Sequence, residues 1–216
     1  MNKVLSTMMV LAAVAGFSGA AQAQDAKAGG SKAAMCIGCH SIPGYQSSFP
    51  EVHKVPMIAG QNAQYIVAAL NAYKKGERKH PTMRGIADTL SEQDMADLAA
   101  YYEALPAAQP VPEQPAKQPS AEVAALLQKG ACVSCHGANF SKPIDGSYPK
   151  IAGQHPDYLY VALKSYKTEG NPYIGRANAI MAGQVKQFSN AELKAIAQYI
   201  GSLPGEMKVV PQSRFR

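Results

Sequence analysis

Two five-residue stretches, CIGCH at 36–40 and CVSCH at 132–136, hold all four cysteines of this 216-residue chain. Whatever the chain folds into must place both stretches where their chemistry is used. Four cysteines in an exported chain can form two disulfides. Two Cys-x-x-Cys pairs can hold zinc. A Cys-x-x-Cys in a strand–helix–strand setting can act as a redox pair. None of these needs a histidine directly behind the second cysteine, and this chain has one both times, His40 and His136.

C-x-x-C-H is the attachment pattern of c-type haem. The spacing sets two thiols one helical turn apart, matched to the two vinyl groups of the porphyrin. The next residue then aims its imidazole at the iron. Cys36, Cys39, Cys132 and Cys135 are therefore candidates for covalent haem attachment, and His40 and His136 for the proximal iron ligands. The pattern implies two covalently bound haem c groups.

The two motifs belong to a longer repeat. PMIAGQNAQYIVAALNAYKKGE (56–77) matches PKIAGQHPDYLYVALKSYKTEG (149–170), and MRGIADTLSEQDMADLAAYYEALP (83–106) matches MAGQVKQFSNAELKAIAQYIGSLP (181–204). The chain is thus a duplicated unit of about 80–90 residues, too small to build a large core alone, and a covalent haem would supply the missing apolar centre of each copy. Between the copies, 106–120 carries five prolines and almost no large apolar residue. That composition makes an extended linker. The expected organisation is 24–109 as the first domain, 110–119 as linker and 120–216 as the second domain.

Each copy reads as all-α. The expected attachment helix covers 33–40. Ile66, Leu70 and Tyr73 form a helical stripe over 63–75. Ser91–Asp94 and Ser189–Glu192 resemble capping boxes opening the last helices. Met95, Leu98, Ala99 and Tyr102 share one face there, as do Leu193, Ile196, Ala197 and Ile200. Pro106 and Pro204 mark the ends. No alternating strand pattern stands out.

The repeat also points to the second iron ligand. The second copy has two methionines, Met181 and Met207, and Met207 lies in the tail beyond the closing Leu-Pro. Met181 aligns with Met83, and each precedes its capping serine by eight residues. The expectation is a pair of His/Met sites, His40 with Met83 and His136 with Met181, each methionine presented by a loop. Met95 and Met57 read as core fillers. His53 and His80 compete as distal ligands in the first copy, and His155, aligned with Asn62, reads as a helix-start residue. A thioether ligand raises the potential relative to a second imidazole, and two filled axial positions favour electron transfer over oxygen or peroxide chemistry. Pro56 and Pro149 could offer a backbone carbonyl to the far nitrogen of each proximal imidazole; a plain loop proline is an equal alternative.

Residues 1–23 have one basic residue, Lys3, an apolar run to about Phe17 and a closing Ala21-Gln22-Ala23. This is the layout of a cleaved signal peptide, with cleavage expected after Ala23 and export to the periplasm. No other stretch is long and apolar enough to span a membrane. The net charge, +6, is too mild and scattered to suggest a nucleic-acid partner. It is uneven: eight Lys/Arg face eight Asp/Glu in 24–109, whereas eleven face six in 120–216. A molecule polarised in this way can steer an acidic partner, and an ordinary solvated surface is an equal alternative.

With the paired CxxCH motifs, the P-x-I-A-G-Q repeats, the aligned methionines and the closing helices in view, the chain resembles the cytochrome c4 family. The resemblance spans essentially all of 24–216. It implies two small class I-like cytochrome c domains related by a pseudo-twofold axis, with haems facing across the interface. It also implies a soluble electron carrier working between a respiratory donor complex and a terminal oxidase or other acceptor. No catalytic residue is implied, and peripheral membrane association stays open. The alternatives are the haem-bearing subunit of a periplasmic dehydrogenase and a dihaem peroxidase. Compared with each other, the first copy has a longer loop after its motif, SIPGYQSSFPEVHKV, the second has extra residues before Met181, NPYIGRANAI, and the tail GEMKVVPQSRFR has no counterpart in the first copy.

Overall fold

In the computed structural model, which describes residues 24–105 and 110–212, the first copy opens with an aspartate cap. Asp25 accepts from the amides of Lys27 and Ala28 and starts α1 (Ala26–Lys32). Then follow α2 (Ala34–His40), two-residue strands β1 (Gln46–Ser47) and β2 (His53–Lys54), α3 (Ala63–Lys74), β3 (Arg78–Lys79), α4 (Pro81–Asp88) and α5 (Glu92–Ala104). The second copy runs α6 (Ala121–Lys129), α7 (Cys132–His136), α8 (Pro156–Ser165), β4 (Gly175–Arg176), α9 (Ala179–Lys186) and α10 (Asn190–Gly201). The expected signal peptide, the 106–109 part of the linker with Pro106, and 213–216 lie outside the described residues.

Both capping boxes form: Ser91 with Asp94, and Ser189 with Glu192, each satisfying free amides of a helix start. The apolar stripes of α5 and α10 are buried as their spacing requires, with Met95, Leu98 and Ala99 in one core and Leu193, Ile196 and Ala197 in the other. On α3, Ile66 is buried while Leu70 and Tyr73 are only partly covered and face a cavity. Gly29 permits the tightest crossing: a Cβ there would stand 2.0 Å from the Asp97 carbonyl oxygen, so α1 and α5 approach backbone to backbone. Met57 is not a core filler; it is partly exposed and lies between the two copies.

Four short strands appear where sequence periodicity showed none. β1 pairs with β2 inside the first copy's longer loop. β3 pairs antiparallel with β4 of the other copy, Arg78 opposite Arg176. Two-residue strands are too short to carry an alternating pattern. The tail also does more than trail. Lys208 donates its amide to Ala59, and Val210 packs on the first core. The described part of the linker has no helix or strand; it is tied to the second copy by Pro112 and Lys117 carbonyls accepting from Asn139 Nδ2 and Tyr199 Oη.

Candidate functional site

The helix α2 carries Cys36, Cys39 and His40 at i, i+3 and i+4, so all three share one face. Ile37, between them, turns into the core and fixes that face. In α7, Cys132, Cys135 and His136 repeat the arrangement on a shorter helix. All four thiols are unpaired. Both sets line one cavity of about 600 Å³ that extends across the two copies and has mostly apolar walls. Among the described residues, no three His, Cys, Asp or Glu side chains are close enough to hold a bare metal ion.

His40 donates from Nδ1 to the Pro56 carbonyl at 2.8 Å, and His136 from Nδ1 to the Pro149 carbonyl at 3.1 Å. Burial holds both imidazoles below the ordinary histidine pKa, against the raising effect of the proline carbonyls. With Nδ1–H committed to a carbonyl, Nε2 keeps its lone pair, the form a metal needs. Burial likewise pushes up the thiols of Cys36 and Cys132, and the Tyr102 hydroxyl beside Cys36 partly opposes it.

Met83 and Met181 reach the same cavity. They sit in short helices, α4 and α9, where the sequence reading placed loops. The cause is capping. His80 Nδ1 accepts from the Met83 amide at 3.4 Å, with Pro81 at the first helical position, and Asn178 Oδ1 accepts from the Met181 amide at 2.9 Å. His53 and His80 also line the cavity. His53 is bonded through Nδ1 to the Glu51 carbonyl at 2.8 Å, and His80 is spent on its cap. His155 begins α8 as Asn62 begins α3, neither with a side-chain cap bond.

Sequence reasoning missed a pair of cations, Arg78 buried and Arg176 half-buried. Arg78 donates to Tyr65 Oη and Tyr158 Oη, both at 3.3 Å, and lies 4.6 Å over the Tyr73 ring. Arg176 donates to Tyr158 Oη at 3.1 Å. Among the described ion pairs neither guanidinium meets a carboxylate, and buried Arg78 Nε has no partner. Burial alone would raise the Tyr158 pKa; Arg176 and Arg78 outweigh it and pull the phenol down to about 8. Two unneutralised cations on an apolar cavity wall suit a flat apolar group that brings carboxylates. Haem, with its two propionates, is such a group. A sequence signal existed: each arginine precedes its methionine by five residues.

Comparison with known proteins agrees with this geometry. Residues 27–105 and 120–204 each match the cytochrome c family. Cytochrome c4 of Azotobacter vinelandii is 33% identical, over 94% of this chain and 100% of its own. A thiosulfate dehydrogenase electron acceptor of Thiomonas intermedia is 28% identical over 80% of each chain. The Acidithiobacillus ferrooxidans cytochrome c4 structure superposes with a TM-score of 0.59 at 29% identity, over 79% of this chain and 99% of that one.

Proposed function

The chain belongs to the cytochrome c4 family, and from that premise we propose how its own residues serve the electron transfer that defines it. It is a dihaem c-type cytochrome, an electron carrier rather than an enzyme, and it works with redox partners. The proposed domains are 24–109 and 120–216, joined by 110–119. When bound, each haem supplies an iron that cycles between ferrous and ferric states.

In our reading, Cys36 and Cys39 take the covalent links in the first domain, and Cys132 and Cys135 in the second. His40 and His136 would ligate the iron, each held in orientation by the carbonyl of Pro56 or Pro149. Met83 and Met181 would supply the second ligand in each domain, which would deny water and peroxide a place at the iron. Arg78 and Arg176 would hold the haem carboxylates. The observation that carries this reading is the matched pair of imidazoles, each tied to a proline carbonyl and each opening onto one cavity beside two free thiols. Substituting Met83→His or Met181→His tests it: each change should lower the potential of one haem and leave the other near its original value. If neither potential moves, the ligand assignment is wrong.

Export to the periplasm is supported by the leader-like composition of 1–23, and no helix among the described residues is long and apolar enough to cross a membrane. A respiratory donor complex and a terminal oxidase are the proposed partners. A second reading rests on the relative from Thiomonas intermedia: this chain would accept electrons from a dehydrogenase. Stable co-purification with such an enzyme would favour it.

A further inference from the structure

Two buried glutamines, one in each P-x-I-A-G-Q segment, hold the opposite domain by the same set of bonds. Gln61 Oε1 accepts from the Lys150 amide and its Nε2 donates to the Lys150 carbonyl, both at 2.9 Å. Gln154 Oε1 accepts from the Met57 amide at 3.0 Å and its Nε2 donates to the Met57 carbonyl at 2.9 Å. Each Oε1 takes a second bond at 3.0 Å from the amide of its own next residue, Asn62 or His155. Each Nε2 turns its second hydrogen toward Met207 Sδ, at 3.2 Å from Gln61 and 3.7 Å from Gln154. A primary amide has two donors and two acceptor positions, and both side chains use all four. Gln61, Gln154 and Met207 are each 4% exposed.

The place of these bonds gives them meaning. The peptide unit whose carbonyl, Pro56 O, accepts from His40 is the unit whose amide, Met57 N, donates to Gln154. Likewise the unit of Pro149 O and Lys150 N accepts from His136 and donates to Gln61. A peptide that donates a good hydrogen bond accepts a better one, because the two polarise each other. Each proximal imidazole is therefore strengthened as a ligand by a glutamine of the other domain. Met207 ties the two glutamines to one sulfur. It arrives on the tail, beyond the residues that match the family, anchored by Lys150 Nζ bonded to Glu206 Oε2 at 2.6 Å and to the Gly60 carbonyl at 2.9 Å. Gly60 has φ +84, and a Cβ there would stand 2.9 Å from the Glu206 carbonyl oxygen, so only glycine lets the tail lie this close.

We propose that Gln61, Gln154 and Met207 form an inter-domain positioning cluster that makes each proximal histidine depend on the opposite domain, coupling the two redox sites. The proposal rests on His40 and His136 being iron ligands. Its signature is a crossed effect, tested in the holoprotein with Gln154→Leu, Gln61→Leu and Met207→Leu. Two quantities are read: the two reduction potentials, assigned by which one Met83→His or Met181→His moves, and the hydrogen-exchange rates of the Met57 and Lys150 amides.

Gln154→Leu should speed exchange at Met57 at least tenfold and raise the potential of the His40 site, leaving the His136 site near its original value. Gln61→Leu should do the mirror image through Lys150. Met207→Leu conserves volume and should raise both potentials by a smaller step. Faster exchange with unmoved potentials, or shifts confined to the mutated residue's own domain, would overturn the proposal. If a glutamine variant fails to accumulate, Met207→Leu decides alone, and no shift at either site overturns the coupling. If the two marker variants move neither potential, the ligand assignment fails, and the coupling falls with it.

Discussion

His80 and Asn178 stand at the same place, three residues ahead of the two methionines, and cap the methionine helices with different chemistry. Asn178 offers an amide oxygen at 2.9 Å from the Met181 amide, and His80 offers a ring nitrogen at 3.4 Å from the Met83 amide. The longer bond makes the first methionine helix the less firmly started of the two. Replacing a cap by alanine removes about 1 kcal/mol of helix stability. His80→Ala and Asn178→Ala should each loosen one methionine, seen as a weakened Met–Fe(III) absorption band from one haem, and His80→Asn should keep the band. An unchanged band in both alanine variants would show that the caps do not hold the methionines. At this scale the residues that fixed spacing singled out, the CxxCH motifs and the aligned Met83 and Met181, all line the one cavity. It hid Arg78 and Arg176, because a lone arginine reads as surface until its neighbours prove to be tyrosines and an apolar wall.

Lys32 of α1 bridges two carboxylates of α5, the half-buried Asp94 and the buried Asp97, each at 2.7 Å. Asp97 accepts from Lys32 Nζ at 2.7 Å, the Asp25 amide at 3.0 Å and Gln93 Nε2 at 2.7 Å. The Lys32 ammonium and then the Asp25 amide hold its carboxyl below the ordinary aspartate pKa, against burial. A group whose folded pKa is depressed contributes stability above its unfolded value, near pH 3.9, and loses that contribution as pH falls through the folded value. The first domain should therefore lose thermal stability below about pH 4, and Asp97→Asn should flatten that slope while lowering stability at pH 7. A pH series of melting curves with equal slopes for both proteins would remove Asp97 from the account. The helices with long apolar stripes, α5 and α10, were plain in the sequence. The methionine helices, eight residues each, and the two-residue strands were not, since neither is long enough to show a period.

At the scale of the molecule the two domains share one cavity, one strand pair and one tail, features that arise only when two distant segments meet. The duplication could be seen in the sequence, but the return of residues 205–212 to the first copy could not, because the tail has no repeat partner to align with. The excess of positive charge in 120–216 should speed docking to an acidic redox partner, with the rate falling as ionic strength rises. A rate indifferent to salt would show that this asymmetry does no steering. The central claim is two haems per chain, each with a histidine and a methionine on its iron. The most direct test is to record oxidised and reduced absorption spectra of the exported protein with haem counted per chain. Two c-type haems, both low-spin and both showing the weak red band of a Met–Fe(III) bond, are the predicted result. A single haem, a high-spin site or a missing methionine band would contradict the account and return attention to His53 and His80.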